Sequence, residues 1–401
     1  RSRLLGADRA LVVHGGGNTS AKGTVPGPDG RPRPVLWVKA SGADLRTASA
    51  AGFAALDLDA LAKLRAVDDL TDEEMTDLLA QALLDPAAPR PSIETLMHAF
   101  IPAAHVDHVH ADAICALTNH PRGPQVVAEA LGDGWAYVDW MRSGYPLSKV
   151  VAELGECEGV VLAHHGLITW ADTSDECYAR TLATVARAEE YVAAHAVAAG
   201  PAPRHDDLPD AEVRDLLLRL RGRLNRGGRH RVLAVDRRLR PVSDRPDLAD
   251  VVAAGVASAD HMLRIGPRSL ALDEAAVDVD LDGVIDGFEQ AAREYVERNA
   301  RLMPDGYRAH DPAPRVVLVP GLGAITAADS ADQARMLGEI AWHTHSVAAR
   351  VIDAFGTAEP IDDQETFRFD YWPLELYKVS LQPPAPEFAG RIVIVTGAAS
   401  G

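Results

Sequence analysis

The 401-residue chain is poor in cysteine and in positive charge, and it has no long apolar run. Its three cysteines, Cys115, Cys157 and Cys177, form no C-x-x-C pair. That excludes a disulfide framework and a thiolate zinc site, and a reducing, cytoplasmic setting fits best. Lys and Arg number 40 against 58 Asp and Glu, a formal net charge of −18. So acidic a chain argues against nucleic acid and against an anionic membrane as partners. A phosphorylated small molecule stays compatible, because local backbone N–H groups bind phosphate whatever the net charge. No apolar stretch approaches the roughly 18 residues of a membrane span, and no signal-peptide pattern is present.

What is there is ordinary for a globular protein: 47% hydrophobic and 24% charged residues. The length allows two or three domains. Residues 1–200 alternate strand-like runs (Val35–Ala40, His105–His110, Gly159–Ala163) with helical patterns (Thr71–Leu84, Cys177–Ala199), an α/β reading. Gly200-Pro201-Ala202-Pro203 breaks the last helix, and residues 201–230 read as a linker region. Basic residues cluster at Arg214–Arg231, a pattern that predicts a solvated helix face and loop. A second α/β domain spans 231–382. Residues 383–401 follow, with Pro383-Pro384-Ala385-Pro386 as a linker. Both ends read as cut. No methionine opens the chain, and Arg391–Val395 reads as a buried strand before the glycine-rich turn Thr396–Gly401.

A faint internal repeat joins the two larger units. Val160–Asp172 resembles Val316–Asp329 once one residue is inserted, and an Ala-rich helical stretch follows each. Either the second unit is a degenerate copy of the first, or two apolar strand–turn–helix units are alike by chance. The strand order around each copy separates these. The later turn has no histidine, so it cannot supply a metal ligand there.

The sharpest chemical signal is His105-Val106-Asp107-His108-Val109-His110. Alternate side chains of a strand share a face, so His108 and His110 point the same way, about 7 Å apart at the backbone. Zinc wants a third protein ligand and an open position, and His165, before Gly166, is the candidate. Glu94, in Pro91-Ser92-Ile93-Glu94, follows Ser92, which reads as a helix N-cap. A carboxylate beside a dication can act as general base, or merely favour the helix dipole. Gly15-Gly16-Gly17-Asn18-Thr19-Ser20 and Ala40-Ser41-Gly42-Ala43-Asp44 are small-residue turns that let a ligand approach the backbone, although neither is a nucleotide-binding pattern.

Four motifs in order give these fragments a common meaning: Gly16-Gly17-Asn18-Thr19-Ser20, Lys39-Ala40-Ser41-Gly42, Pro91-Ser92-Ile93-Glu94 with His98, and His108-Val109-His110 with His164-His165-Gly166-Leu167-Ile168. Over residues 10–200 the chain resembles the class II aldolase/adducin family. The resemblance implies a three-layer αβα domain with a central mixed or antiparallel sheet. It implies Zn2+, or another divalent transition metal, on His108, His110 and His165. Glu94 would be the acid/base, and Tyr137 or its neighbour Tyr145 the proton donor to the aldehyde oxygen near an adjoining subunit. Asn18, Thr19, Ser41, Gly42 and Ser92 would hold a substrate phosphate, with His98 in support. Ile93 stands where many members carry a second serine, which weakens the expectation of a phosphate monoester. A homo-oligomer, tetramers included, is part of the pattern.

The wider layout resembles proteins in which a rhamnulose-1-phosphate aldolase domain precedes a short-chain dehydrogenase. On that likeness NAD(P) belongs only to the dehydrogenase domain, of which residues 390–401 are the opening. The activity implied is retro-aldol cleavage of a ketose 1-phosphate to dihydroxyacetone phosphate and lactaldehyde. Alternatives within the family are a sugar-phosphate epimerase, which carries aspartate at the Glu94 position, and a dehydratase. Outside catalysis, an adducin-like interaction module would lack the three histidines.

Overall fold

The computed structural model describes residues 1–197, 206–273, 280–380, 388 and 393–397. The first seven strands are β1 (Asn18–Pro26), β2 (Pro32–Lys39), β3 (Phe53–Asp57), β4 (His105–Val109), β5 (Trp135–Val138), β6 (Gly159–Leu162) and β7 (Gly166–Ala171). They form one sheet in the order β3-β2-β1-β4-β7-β6-β5. Every neighbouring pair is antiparallel except β5 with β6, so the sheet is mixed. Its two faces are covered differently. Val109, Val161 and Leu167 pack with helices Asp112–Thr118 and Ser174–His195. Val106, Val160 and Ile168 pack with helices Thr95–Phe100 and Tyr145–Glu153. Alternation along each strand thus produces three layers from a single run of sequence.

Four more strands, β8 (Val232–Asp236), β9 (Leu270–Ala271), β10 (Val316–Val319) and β11 (Gly323–Ala328), form a second sheet in the order β8-β11-β10-β9. β8–β11 and β10–β11 are antiparallel and β9–β10 is parallel. The run β4-β7-β6-β5 has the same chain order and the same pairing senses. The hairpins also share their register. Leu162 faces Gly166 and Val319 faces Gly323, and the same-length turns Ala163-His164-His165 and Pro320-Gly321-Leu322 each place a left-handed residue in the middle. The two runs thus share strand order and hairpin register, with one correction: Gly159 corresponds to Val316, and no inserted residue is needed. Through this register His108 corresponds to Val235 and His165 to Leu322, so the second sheet lacks these ligands.

A long helix follows each hairpin, capped by Thr173 or Ser330, whose hydroxyls accept from the backbone N–H three residues on. The later one, Ala331–Phe355, is buried at Leu337, Ile340, Ala341, Thr344, Ala348 and Val351, at helical spacing. It packs against β8 and β11 on one side and against the helices Asp112–Thr118 and Ser174–His195 on the other. A single apolar cluster runs from Leu36, Val38 and Leu96 to Leu318, Ile340 and Trp372, so the two sheets share a core.

Several expectations need correction. Within the stretch read as a linker, Asp210–Leu224 is a helix, with Val213, Leu216, Leu220 and Leu224 packed on the second sheet. The basic cluster is not simply solvated. Buried Arg223 pairs with Glu289 and Asp286, and Arg229 and Arg231 pair with Asp311. Val393–Val395 are exposed and form no strand, because no partner strand or apolar face covers them among the described residues. Pro383-Pro384-Ala385-Pro386 and Gly200-Pro201-Ala202-Pro203 lie outside the described residues. Among the described residues no helix is long and apolar enough to cross a membrane.

Ile340 sits at the centre of the shared core, fully buried. Ile340→Ala is expected to cost about 2–5 kcal/mol of unfolding free energy, measured by urea denaturation. A loss below about 1 kcal/mol would contradict the packing described.

Candidate metal centre

Strand pairing assembles the site. Asn18 of β1 lies opposite His108 of β4, and His108 lies opposite Ile168 of β7. The β6–β7 turn therefore hangs beside the end of β4, where His110 follows the strand. Gly166 is required for a reason other than the one expected. The left-handed residue of the turn is His164, at φ 52°, whereas a Cβ on Gly166 would meet the Val109 carbonyl oxygen at 2.2 Å. Close approach of two strands, not turn geometry, demands glycine there.

The three imidazoles converge. His108 Nε2 is 3.0 Å from His110 Nε2 and 3.2 Å from His165 Nε2. All three rings are buried, with centroids 4.7–4.8 Å apart. His108 Nδ1 donates to the Leu167 carbonyl at 3.1 Å, and His110 Nδ1 lies 3.1 Å from Asp260 Oδ2. The Leu167 carbonyl places the His108 proton on Nδ1, and the carboxylate of Asp260 favours the same tautomer of His110, in which both Nε2 atoms present lone pairs to each other. Two lone pairs at 3.0 Å repel unless a cation lies between them. A tetrahedral dication with bonds of about 2.0–2.1 Å to imidazole sets its nitrogens about 3.3 Å apart, so the cluster fits one divalent ion. The cluster can hold such a metal.

Glu94 adds negative charge at the same point. Its Oε1 is 3.3 Å from both His108 Nε2 and His165 Nε2. Burial pushes the Glu94 carboxyl up, but the imidazoles of His108 and His165 beside it outweigh burial and hold it well below the usual carboxylate range. Burial likewise lowers His108, and the Glu94 charge more than reverses it, so a positive charge is favoured here. His110 is pushed down to about 4 by burial, against the pull of Asp260, and stays neutral as a ligand must.

A chain of hydrogen bonds holds Glu94. Asn18 Nδ2 donates to Glu94 Oε2 at 2.5 Å, and Ser143 Oγ donates to Oε1 at 2.9 Å. His98, pushed down to about 3 by burial, is neutral; it bonds the Asn18 side-chain oxygen and, 2.8 Å away, Ser20 Oγ. Ser92 is not the helix N-cap. Helix Thr95–Phe100 starts later with Glu94 in that position, and the Glu94 side chain points to the histidines instead of capping. Ser92 Oγ accepts from the Glu94 N–H at 3.2 Å. The bonds Ser92 N to Lys39 O and Ser41 N to Arg90 O bring the Ser41 turn beside it.

Around the histidines lies a small cleft lined by Gly15, Gly16, Gly17, Asn18, Lys39, Ser41, Gly42, Ser92, Ile93 and Glu94, with Trp140, Met141 and Ser143 on another side. Ser41 Oγ is buried there without a hydrogen-bond partner. Gly16 and Gly17 are needed chiefly by the protein: a Cβ would meet Asp260 Oδ2 at 2.2 Å and the His108 carbonyl at 2.7 Å.

Two expected residues are not brought to the site. Thr19 pairs with Asp107 on the other face of the sheet, where its hydroxyl bonds Ser2 at 2.7 Å. Tyr137 pairs with Val161 on β5 at the sheet edge, and its ring packs with the helices opposite the histidines. Tyr145 is also elsewhere, donating to the carbonyls of Leu64 and Val67. Strand alternation excludes the first two, since each immediate neighbour has the opposite side.

The second half of the chain enters the site as well. Ala259, Asp260, Phe369 and Glu375 line the cleft. Burial raises the Asp260 carboxyl, but the neighbouring imidazoles, His110 first, and the Ser258 hydroxyl outweigh it and hold it well below its ordinary value. No motif marked Asp260. Its sequence distance from the histidines hid it, and only the shared core reveals the contact.

Asn18→Ala removes a donor to Glu94 and the partner of His98. We expect a loss of about 1–3 kcal/mol in unfolding free energy by chemical denaturation, the cost of leaving buried polar groups unmade. An unchanged midpoint would show that these bonds carry no weight.

Residues 2–192 match the family described as class II aldolase and adducin N-terminal domain, and residues 211–379 match aldolase class II, second domain. The uncharacterized oxidoreductase YuxG of Bacillus subtilis (strain 168) is 34% identical over 427 residues, covering all of this chain and 60% of YuxG. The chain thus spans 60% of the length of that curated relative. The N-terminal class II aldolase domain of a conserved Thermoplasma acidophilum protein is 40% identical, with a TM-score of 0.45 over 48% of this chain and 90% of that one. The L-fuculose-1-phosphate aldolase of Thermus thermophilus is 16% identical, with a TM-score of 0.32 over 47% of this chain and 90% of that one. The chain belongs to the class II aldolase/adducin family.

Proposed function

We propose that this chain is a divalent-metal-dependent lyase, with zinc as the metal, that cleaves the C3–C4 bond of a ketose 1-phosphate by retro-aldol chemistry. Rhamnulose 1-phosphate is the favoured substrate, giving dihydroxyacetone phosphate and lactaldehyde. The observation that carries the reading is the meeting of three imidazole Nε2 atoms with Glu94 Oε1 at the floor of a buried cleft. When bound by His108, His110 and His165, the ion supplies Lewis acidity to the ketose oxygens and stabilises the enediolate charge.

The residues of the chain do the rest. The turn Gly15–Gly17 with Lys39, Ser41 and Gly42 offers backbone N–H groups, an ammonium and an unpartnered hydroxyl to the phosphate. In cleavage a base takes the proton of the C4 hydroxyl as the C3–C4 electrons move to C3. In the reverse direction the Glu94 carboxylate removes the proton from that carbon, and in cleavage the carboxylic acid form of Glu94, charged with a proton from solvent, returns one to it. Asn18 and Ser143 keep the carboxylate aimed at that position. Trp140, Met141, Ile93 and Phe369 form an apolar side of the cleft, which suits the methyl end of a deoxy sugar. Neither Tyr137 nor Tyr145 reaches the cleft within one subunit, so the carrier of the C4 hydroxyl proton is assigned to a homo-oligomer contact, a tetramer included. The oxidoreductase in the printed name of YuxG belongs to a protein of which this chain is 60%, and no nicotinamide chemistry is assigned to this chain.

Glu94→Ala is expected to keep stoichiometric metal by elemental analysis and to lower retro-aldol turnover about 100- to 10,000-fold. Turnover like that of the unaltered protein would remove Glu94 from the mechanism. In a screen over ketose 1-phosphates, chelation should abolish cleavage and zinc restore it. Cleavage that survives complete metal removal would overturn the reading.

A further inference from the structure

Asp260 stands at the N-terminal end of the helix Ala259–Ile265, in the second half of the chain. Its Oδ2 lies 3.1 Å from Nδ1 of His110, off the N–H axis, and neither atom has another hydrogen-bond partner. Its other oxygen accepts from Ser258 Oγ at 2.7 Å, and Ser258 Oγ is also 3.3 Å from the His165 carbonyl oxygen. Gly16 leaves the carboxylate its space. The segment is tied to the first half by Asn119 Nδ2, which donates to the Ala257 carbonyl at 2.8 Å. Two of the three candidate ligands, His110 and His165, are thus braced by a Ser258–Asp260 unit from residues outside the first domain.

We infer that Asp260 is a positioning residue for the metal: its carboxylate, carried by the second half of the chain, fixes the tautomer and aim of His110 and so sets metal affinity. The inference rests on the metal-dependent reading above. It gives the second half a task that the second sheet does not show. A carboxylate behind a histidine ligand holds the proton on the far nitrogen and raises the donor strength of the near one. Removing such a partner typically weakens metal binding by about 10- to 100-fold. The second half is therefore part of the metal centre, and seating the metal and docking that half favour each other by linkage.

The test uses the full chain and Co2+ or Zn2+ alone, titrated in competition with a chromophoric chelator. Asp260→Asn keeps the shape and removes the charge. The metal dissociation constant is expected to rise about 10- to 100-fold, and the Co2+ absorption bands to shift, while far-ultraviolet circular dichroism stays the same. Ser258→Ala, which keeps the carboxylate but frees it to turn, should weaken binding in the same direction and by less; it decides the matter should the first variant not fold. A residue that serves only the fold would lower the melting temperature and leave the metal constant and spectrum alone, and that result overturns the inference. Outcomes separate the two readings. Metal binding as tight in Asp260→Asn as in the unaltered chain sinks the positioning role alone. An unaltered chain that takes up no stoichiometric metal sinks the metal-dependent lyase and this inference together.

Discussion

The Nε2 atom of His108 lies 3.0 Å from that of His110 and 3.2 Å from that of His165, and the fold holds the three rings there. The Leu167 carbonyl pins the proton of His108 on its outward nitrogen, and the Asp260 carboxylate stands 3.1 Å from the outward nitrogen of His110. The inward lone pairs of these two rings repel, and the Glu94 carboxylate adds negative charge to the same point. A buried cluster so arranged is stable only with positive charge at its centre. The lowered Glu94 carboxyl and the raised His108 express that demand, and a divalent ion satisfies it with better geometry than a proton does.

The scaffold answers this constraint with pairing register. His108 and His110 share a side through alternation along β4, and β7 brings the turn bearing His165 alongside. β1 supplies Asn18 directly opposite His108, so the group that aims Glu94 is set by the same ladder. The second sheet repeats the β4–β7 arrangement but carries Val235 and Leu322 at the ligand positions. Its long helix, Ala331–Phe355, packs between the two halves, and the neighbouring helix delivers Asp260. The second sheet carries no ligands and shares the core, and its flanking segments line the cleft of the first.

Much of this was legible in the sequence because it depends on local periodicity. The i, i+2 histidines need only a strand to share a face, and the strand is there. The long helices carried their caps and apolar spacing. The repeat was visible too, although its register was clear only from the hairpin pairing. What failed depended on which side a residue faces in a sheet whose partners are distant. Thr19 sits one position from Asn18, which faces the site, and that single step sends it to the other layer, while Tyr137 lies on the edge strand with its ring on that same layer. The helix Asp210–Leu224 read only as a solvated face within a linker because arginines and aspartates dilute its apolar stripe, and one of those arginines, Arg223, is spent on ion pairs with acidic partners far along the chain. Asp260 lay beyond any motif, since its meaning comes from a contact across the shared core.

The central claim is that His108, His110 and His165 ligate one ion. X-ray absorption at the metal edge on the full chain loaded with one equivalent of zinc tests it most directly. The account predicts three imidazole nitrogens at about 2.0–2.1 Å, with oxygen completing the coordination. A shell with one imidazole or none, or one built from sulfur, would contradict it.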